Sequence, residues 1–198
     1  MMKIFFTIAV FFFINNTITS QNIVYGVKGG INISKFNSNS NNPFSQYDGK
    51  VGFHVGGLVE IPLSEKFSMQ PELLYSLQGT NINSGERVIR LNNLQLPIMA
   101  KYYIVKRLGL EAGPVLDYLL SAKLVGDLNS EDGREVKDIT DIYKTLNVAI
   151  GAGASYTLKT NLFFGLRYNF GFLDISDDTF NEVTLRTRAL QVSAGYFF

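Results

Sequence analysis

The chain contains no cysteine and no tryptophan, and only 5 of its 198 residues are proline. Without cysteine there is no disulfide framework, no zinc–thiolate centre and no lipid-modified cysteine at a mature N-terminus. An excess of charge of one sign is also missing. With 18 Lys+Arg against 17 Asp+Glu, the chain offers no electrostatic reason to expect a nucleic-acid partner. The longest apolar run, IFFTIAVFFFI over residues 4–14, has 11 residues. A helix that crosses a bilayer needs about 20. If the mature chain enters a membrane, it does so as strands.

What is present is aromatic and small: 16 Phe, 10 Tyr and 18 Gly. Lys3, the apolar run and the polar exit NNTITS, ending on the small residue Ser20, read as a secretory signal over residues 1–20, with the mature domain at 21–198. From Ile23 onward the dominant period is two. Residues 23–33 place Tyr25, Val27, Ile31 and Ile33 on one face and Lys28 and Asn32 on the other. The same alternation recurs over 50–61, 67–78, 91–104, 108–120, 145–158, 162–173 and 185–198, giving eight strands.

The connections alternate in length. They are short at 62–66, 105–107 and 159–161, and long at 34–49, 79–87, 121–143 and 174–184. An even-stranded up-and-down barrel of the outer membrane has this arrangement, with tight periplasmic turns, long external loops and both termini in the periplasm. The expected fold is therefore all-β, an eight-stranded antiparallel up-and-down transmembrane β-barrel located in the cell outer membrane. Its surroundings would be outer-membrane lipids.

A soluble lipocalin-like carrier shows the same period, so the two faces must be assigned physically. The less apolar face is built of Gly, Ala, Ser and Asn with a few charges, which suits the crowded interior of an eight-stranded barrel. A soluble surface is normally a quarter to a third charged. Tyrosines on the apolar face support the same choice, because Tyr favours the membrane interface. Tyr25, Tyr102, Tyr156 and Tyr196 lie near the short-turn or terminal ends, and Tyr75, Tyr118 and Tyr168 near the long loops.

The interior parity then carries Lys28, His54, Glu60, Glu72, Lys101, Glu111, Asp117 and Arg167. Uncompensated ions in a low dielectric cost several kcal/mol, so the expectation is a narrow or closed lumen laced with ion pairs around Lys28, Lys101 and Arg167. Arg87, Arg90, Arg186 and Arg188 stand beside the external rim, either as solvated strand ends or as contacts to lipopolysaccharide phosphates, which Arg binds bidentately.

No catalytic, cofactor or metal site is expected. His54, the single histidine, points into the lumen, and no serine is singled out beside it as a nucleophile would require. The stretch 127–133, DLNSEDG, lacks the glycine and the glutamate that a calcium loop carries at its sixth and twelfth places, where Asp132 and Asp138 stand. The glycine pairs at 29–30 and 56–57 lie inside strands with no following helix, which excludes a phosphate cradle.

YGVKGGINIS at the start of the mature chain, the central LQLPIMAKYY and the terminal LQVSAGYFF resemble the PorT-like outer-membrane β-barrel proteins of Bacteroidota. The resemblance implies a small outer-membrane barrel, and it spans essentially the whole mature chain. One member gives the group its name through a role in secretion, which pattern alone does not carry over to this chain. Phe198, with Tyr196 two residues before it, resembles the terminal signal read by the barrel-assembly machinery, a partner during biogenesis. The functional expectation is a non-enzymatic barrel of structural or interaction type whose external loops meet an unidentified partner or lipopolysaccharide. A lipid-active outer-membrane enzyme is the alternative.

Overall fold

The computed structural model describes residues 23–38, 47–82, 87–126, 136–173 and 185–198. The proposed signal at 1–20 and the DLNSEDG stretch lie outside them. Among the described residues nine strands form: β1 (Val24–Ser38), β2 (Tyr47–Pro62), β3 (Phe67–Ile82), β4 (Arg87–Val105), β5 (Leu108–Val125), β6 (Val136–Asp138), β7 (Leu146–Thr157), β8 (Leu162–Gly171) and β9 (Leu185–Phe197). Eight of them are staves of a closed antiparallel barrel, in the order β4-β3-β2-β1-β9-β8-β7-β5, and pairing of β4 with β5 closes it. Closure leaves no open sheet edge, which a strand in hydrocarbon cannot tolerate.

Each strand alternates because one side faces lipid and the other the lumen. Val27, Ile31, Val55, Leu73, Leu96, Leu110, Ile150, Leu166 and Val192 are exposed on the outer face, while Lys28, Asn32, His54, Glu72, Gln95, Glu111, Asn147, Arg167 and Gln191 are buried inside. This inverts a soluble carrier, whose interior would be the apolar side. All seven girdle tyrosines are outward and exposed. Tyr75 and Tyr118 lie on one hydrogen-bond row, joined through Leu94 between them.

The staves run further outward than the sequence pattern suggests. β1 and β2 continue to Ser38 and from Tyr47, and β3 and β4 continue to Ile82 and from Arg87, so much of the long connections at 34–49 and 79–87 is strand. Two bulges account for part of the lost alternation. Between Gly49↔Thr80 and His54↔Ser76, β2 carries one residue more than β3. Between Asn92↔Ser121 and Asn93↔Leu119, β5 carries the extra residue, Leu120. Each bulge shifts the parity of the strand that carries it, β2 or β5, while β3 and β4 keep theirs through Thr80 and Ile89. At the first, side chains from β1 supply what the ladder lacks: Ser34 Oγ accepts from Gly79 N and donates to Gly79 O, both at 2.9 Å.

Residues 136–145 lie back along the outer end of β5. β6 pairs with the end of β5, and a single 3-10 turn (Thr140–Ile142) follows. Ile139 packs with Ile89, Leu91, Leu119 and Ala122 into an apolar cap. Asp138 holds the turn, accepting from Thr140 Oγ1 at 2.6 Å and Thr140 N at 2.9 Å, and these hydrogen bonds keep its carboxyl below the usual aspartate value. At the periplasmic end a hollow of ≈ 520 Å³ opens outward, bordered by Glu60, Ser68, Tyr103 and Phe197. Leu58, Phe163 and Phe197 pack together behind it.

Candidate functional site

All eight polar residues placed inside by parity are buried in the lumen. Glu72 of β3 is the hub. Arg167 of β8 grips it bidentately, with Nη2 on Oε1 at 2.7 Å and Nη1 on Oε2 at 3.0 Å, and Lys28 of β1 reaches Oε2 at 2.7 Å. Arg167 Nε also donates to Glu111 Oε1 of β5 at 2.6 Å. Gln70 ties this group to a second one. Its Nε2 donates to Glu72 at 2.6 Å, and its Oε1 accepts from Lys101 Nζ at 3.0 Å. Lys101 in turn meets Glu60 Oε2 at 3.0 Å, and Glu60 Oε1 accepts from Ser68 at 2.8 Å and from the Tyr103 hydroxyl. Strands β1, β2, β3, β4, β5 and β8 are thereby braced across the lumen. Bidentate geometry and full hydrogen bonding are what let buried ions offset their desolvation.

Above this network His54 sits in its own chain. Its Nδ1 lies 2.7 Å from Asn32 Oδ1, an acceptor, so Nδ1 carries the proton and Nε2 accepts from Ser193 Oγ at 2.8 Å. Asn32 is anchored by donating to Ser76 Oγ at 2.9 Å. Serine, imidazole and amide in this order match the hydrogen-bond chain of an acyl-transfer triad. The sequence singled out neither Ser193 nor Asn32, which lie 139 and 22 residues from His54. A triad also needs room for a substrate. Ser193 borders a space of only ≈ 10 Å³, smaller than an acyl group, and His54 and Asn32 are fully buried. Gly30 makes the space that the imidazole fills, since a Cβ there would lie 2.8 Å from His54 Cε1 and 2.0 Å from Val192 O. The group packs the lumen rather than opening onto it.

The four rim arginines divide into two places. Arg188 on β9 stands directly opposite Lys35 of β1 and Phe170 of β8, with its guanidinium 5.1 Å from the Phe170 ring centre, and Arg186 lies two residues further out. Arg90 on β4 stands opposite Lys123 of β5, with Arg87 beyond it. The two seams lie on opposite sides of the barrel, separated by two staves in either direction. Arg188 is only partly exposed, and Lys35 and Lys123 are cations the sequence did not single out.

An all-antiparallel closed barrel with a lipid-facing apolar belt and a charged lumen now has a counterpart among known families. The sequence model described as "Outer membrane protein beta-barrel domain" matches residues 19–177. The chain belongs to that family. This places it in the outer membrane, as its apolar outer face requires. Family membership is broader than the PorT-like group and does not select it. The search of curated proteins finds no match.

Among solved structures, the attachment invasion locus protein Ail of Yersinia pestis superposes with a TM-score of 0.54 at 13% identity, over 90% of this chain and 100% of that one. Neisserial surface protein A gives 0.55 at 12%, with the same coverage. A second Ail structure, in complex with the heparin analogue sucrose octasulfate, gives 0.52 at 13% over 90% of this chain and 100% of that one. At such identities the likeness is one of fold.

Proposed function

We propose that this protein is a non-enzymatic outer-membrane barrel of interaction type, with a closed lumen and an external surface that engages phosphate-bearing glycolipid and a partner at its loops. The observation that carries the reading is the lumen itself, where buried side chains from six staves meet in one hydrogen-bonded network. Chemistry available to the surroundings then lies at the rim. There, like charges face each other directly at Lys35–Arg188 and Arg90–Lys123. Such pairs are destabilising by themselves, and an anion between them turns repulsion into attraction.

Position supports the same ligand. Arg188 lies two residues beyond Leu190, the cross-strand partner of the girdle residue Tyr168, which is about 5 Å higher at 3.3 Å per residue and a tilt near 40°. Arg90 lies four residues beyond Leu94, the partner of Tyr75 and Tyr118, or about 10 Å higher. The first height falls within the headgroup layer, about 5–8 Å thick on each side of the hydrocarbon core, and the second just beyond it. Ail, a barrel of the same fold, is the protein solved with a polysulfated sugar. The opening YGVKGGINIS and terminal LQVSAGYFF support a PorT-like grouping within the family, with no secretion role assigned.

Lipid A phosphate co-purifying with the intact barrel measures the glycolipid contact. Lys35→Glu with Arg188→Glu, or Arg90→Glu with Lys123→Glu, is expected to lower the bound phosphate severalfold, and more so in low salt, where surface charges are least screened. Unchanged phosphate in both double variants would leave the rim as solvated strand ends.

A further inference from the structure

The charges of the lumen do not cancel. Lys28, Lys101 and Arg167 are held by Glu60, Glu72 and Glu111, three against three. Asp117 is the anion left over. It is buried on β5, and its partner is a neutral amide, Gln95 Nε2, which is itself oriented by Gln191 Nε2 donating to Gln95 Oε1 at 3.2 Å. Among the described residues no Lys or Arg makes an ion pair with it. A lone carboxylate in this setting lacks the compensation every other lumenal ion has.

Beside it is a second, independent irregularity. Asn147 stands directly opposite Asp117 on β7, and its buried Oδ1 has no hydrogen-bond donor, while its Nδ2 donates to Thr187 Oγ1 at 3.0 Å. Asp117 and Asn147 both border a cavity of ≈ 20 Å³, to which Gln78, Asn93, Thr145 and Thr187 add amide and hydroxyl groups. About 10–15 Å³ holds one water-sized species. The cavity is therefore small and lined by amide, hydroxyl and carboxylate groups together with Leu91, Leu119 and Tyr143, in a lumen one positive charge short of neutral. Lys144, exposed, also borders it without pairing with Asp117.

We propose that this cavity, beneath the apolar cap of the external mouth, binds one alkali cation of sodium size, with Asp117 and the Asn147 carbonyl oxygen as protein ligands. Hard cations take oxygen ligands. A single charge completes the three-against-four count, whereas a divalent ion would overshoot it. The site makes the ion a structural part of the barrel's outer half, joining β5 to β7 where Leu119 N donates to Thr145 O at 2.7 Å.

The test uses the intact barrel refolded in detergent, in sodium chloride or in choline chloride at equal concentration, so that screening is the same and only a small cation can enter. The temperature at which the folded gel band converts to the unfolded one is expected to be several degrees higher in sodium for the native chain and equal in both salts for Asp117→Asn. A native barrel that converts at the same temperature in both salts overturns the proposal, and a more stable Asp117→Asn under that condition assigns a proton to Asp117 instead. Excess ²³Na linewidth in the presence of the native barrel provides a reading independent of the variant's folding, and its absence likewise overturns the site.

Discussion

Glu72→Ala is expected to destabilise the barrel by about 3–5 kcal/mol, the range for removing one partner of a buried ion pair. The reason is the geometry of the hub. Arg167 loses both bonds of its bidentate grip and Lys28 loses its carboxylate, so two cations are left in the lumen with only Glu111 to share. Their burial makes the loss larger than for any rim pair, where exposed ions contribute about 0–1 kcal/mol. The double variant Lys28→Met with Glu72→Leu is expected to recover a large part of the loss, because it removes a cation with the anion and leaves the Arg167–Glu111 pair intact. Urea titration of the refolded protein, followed by the folded gel band, measures both. A Glu72→Ala midpoint within error of the native one would mean that water, and not the network, solvates the lumen.

Removal of Phe198 is expected to produce an effect in cells far larger than its effect on the folded protein. In the barrel, Phe198 N donates to Tyr25 O at 2.8 Å and the ring meets Tyr196 edge-on at 5.7 Å, while most of the side chain is exposed to lipid. One such ladder bond contributes about 1 kcal/mol. Refolded protein lacking Phe198 should therefore unfold only slightly earlier. If Phe198 and Tyr196 form the signal read by the assembly machinery, the amount reaching the outer membrane falls to a small fraction of native. An outer-membrane level that declines no more than the small stability loss accounts for would make the terminal pair an ordinary strand end.

How far the sequence reaches can be judged residue by residue. Lys28, Glu60, Glu72, Lys101, Glu111, Asp117 and Arg167 were legible as lumenal because each charge sits on the small-residue parity of a strand, and lipid cannot take it. Which of them meet was not legible. Glu72 and Arg167 are 95 residues apart on β3 and β8, and only the stagger of the closed barrel brings them to one level. Neutral partners such as Gln70 and Tyr103 in the ion network, and Asn32 and Ser193 in the His54 chain, carry no charge to mark them, yet they complete the lumen's hydrogen bonds. The outward extension of the staves was hidden for another reason. On β5, Ala122 is buried beyond Leu120, where the alternation has slipped by one residue, and on β4 the inward Ile89 and Leu91 are apolar, so the pattern reads as loop although the ladder continues.

A barrel whose charges brace it across the middle should not conduct. Planar-bilayer recording of the intact, refolded protein measures this directly. The network linking Glu60, Lys101, Gln70, Glu72, Arg167 and Glu111 predicts no stable open level, at most brief flickers. A large, persistent conductance from the native chain would contradict the closed lumen, and with it the assignment of function to the external rim.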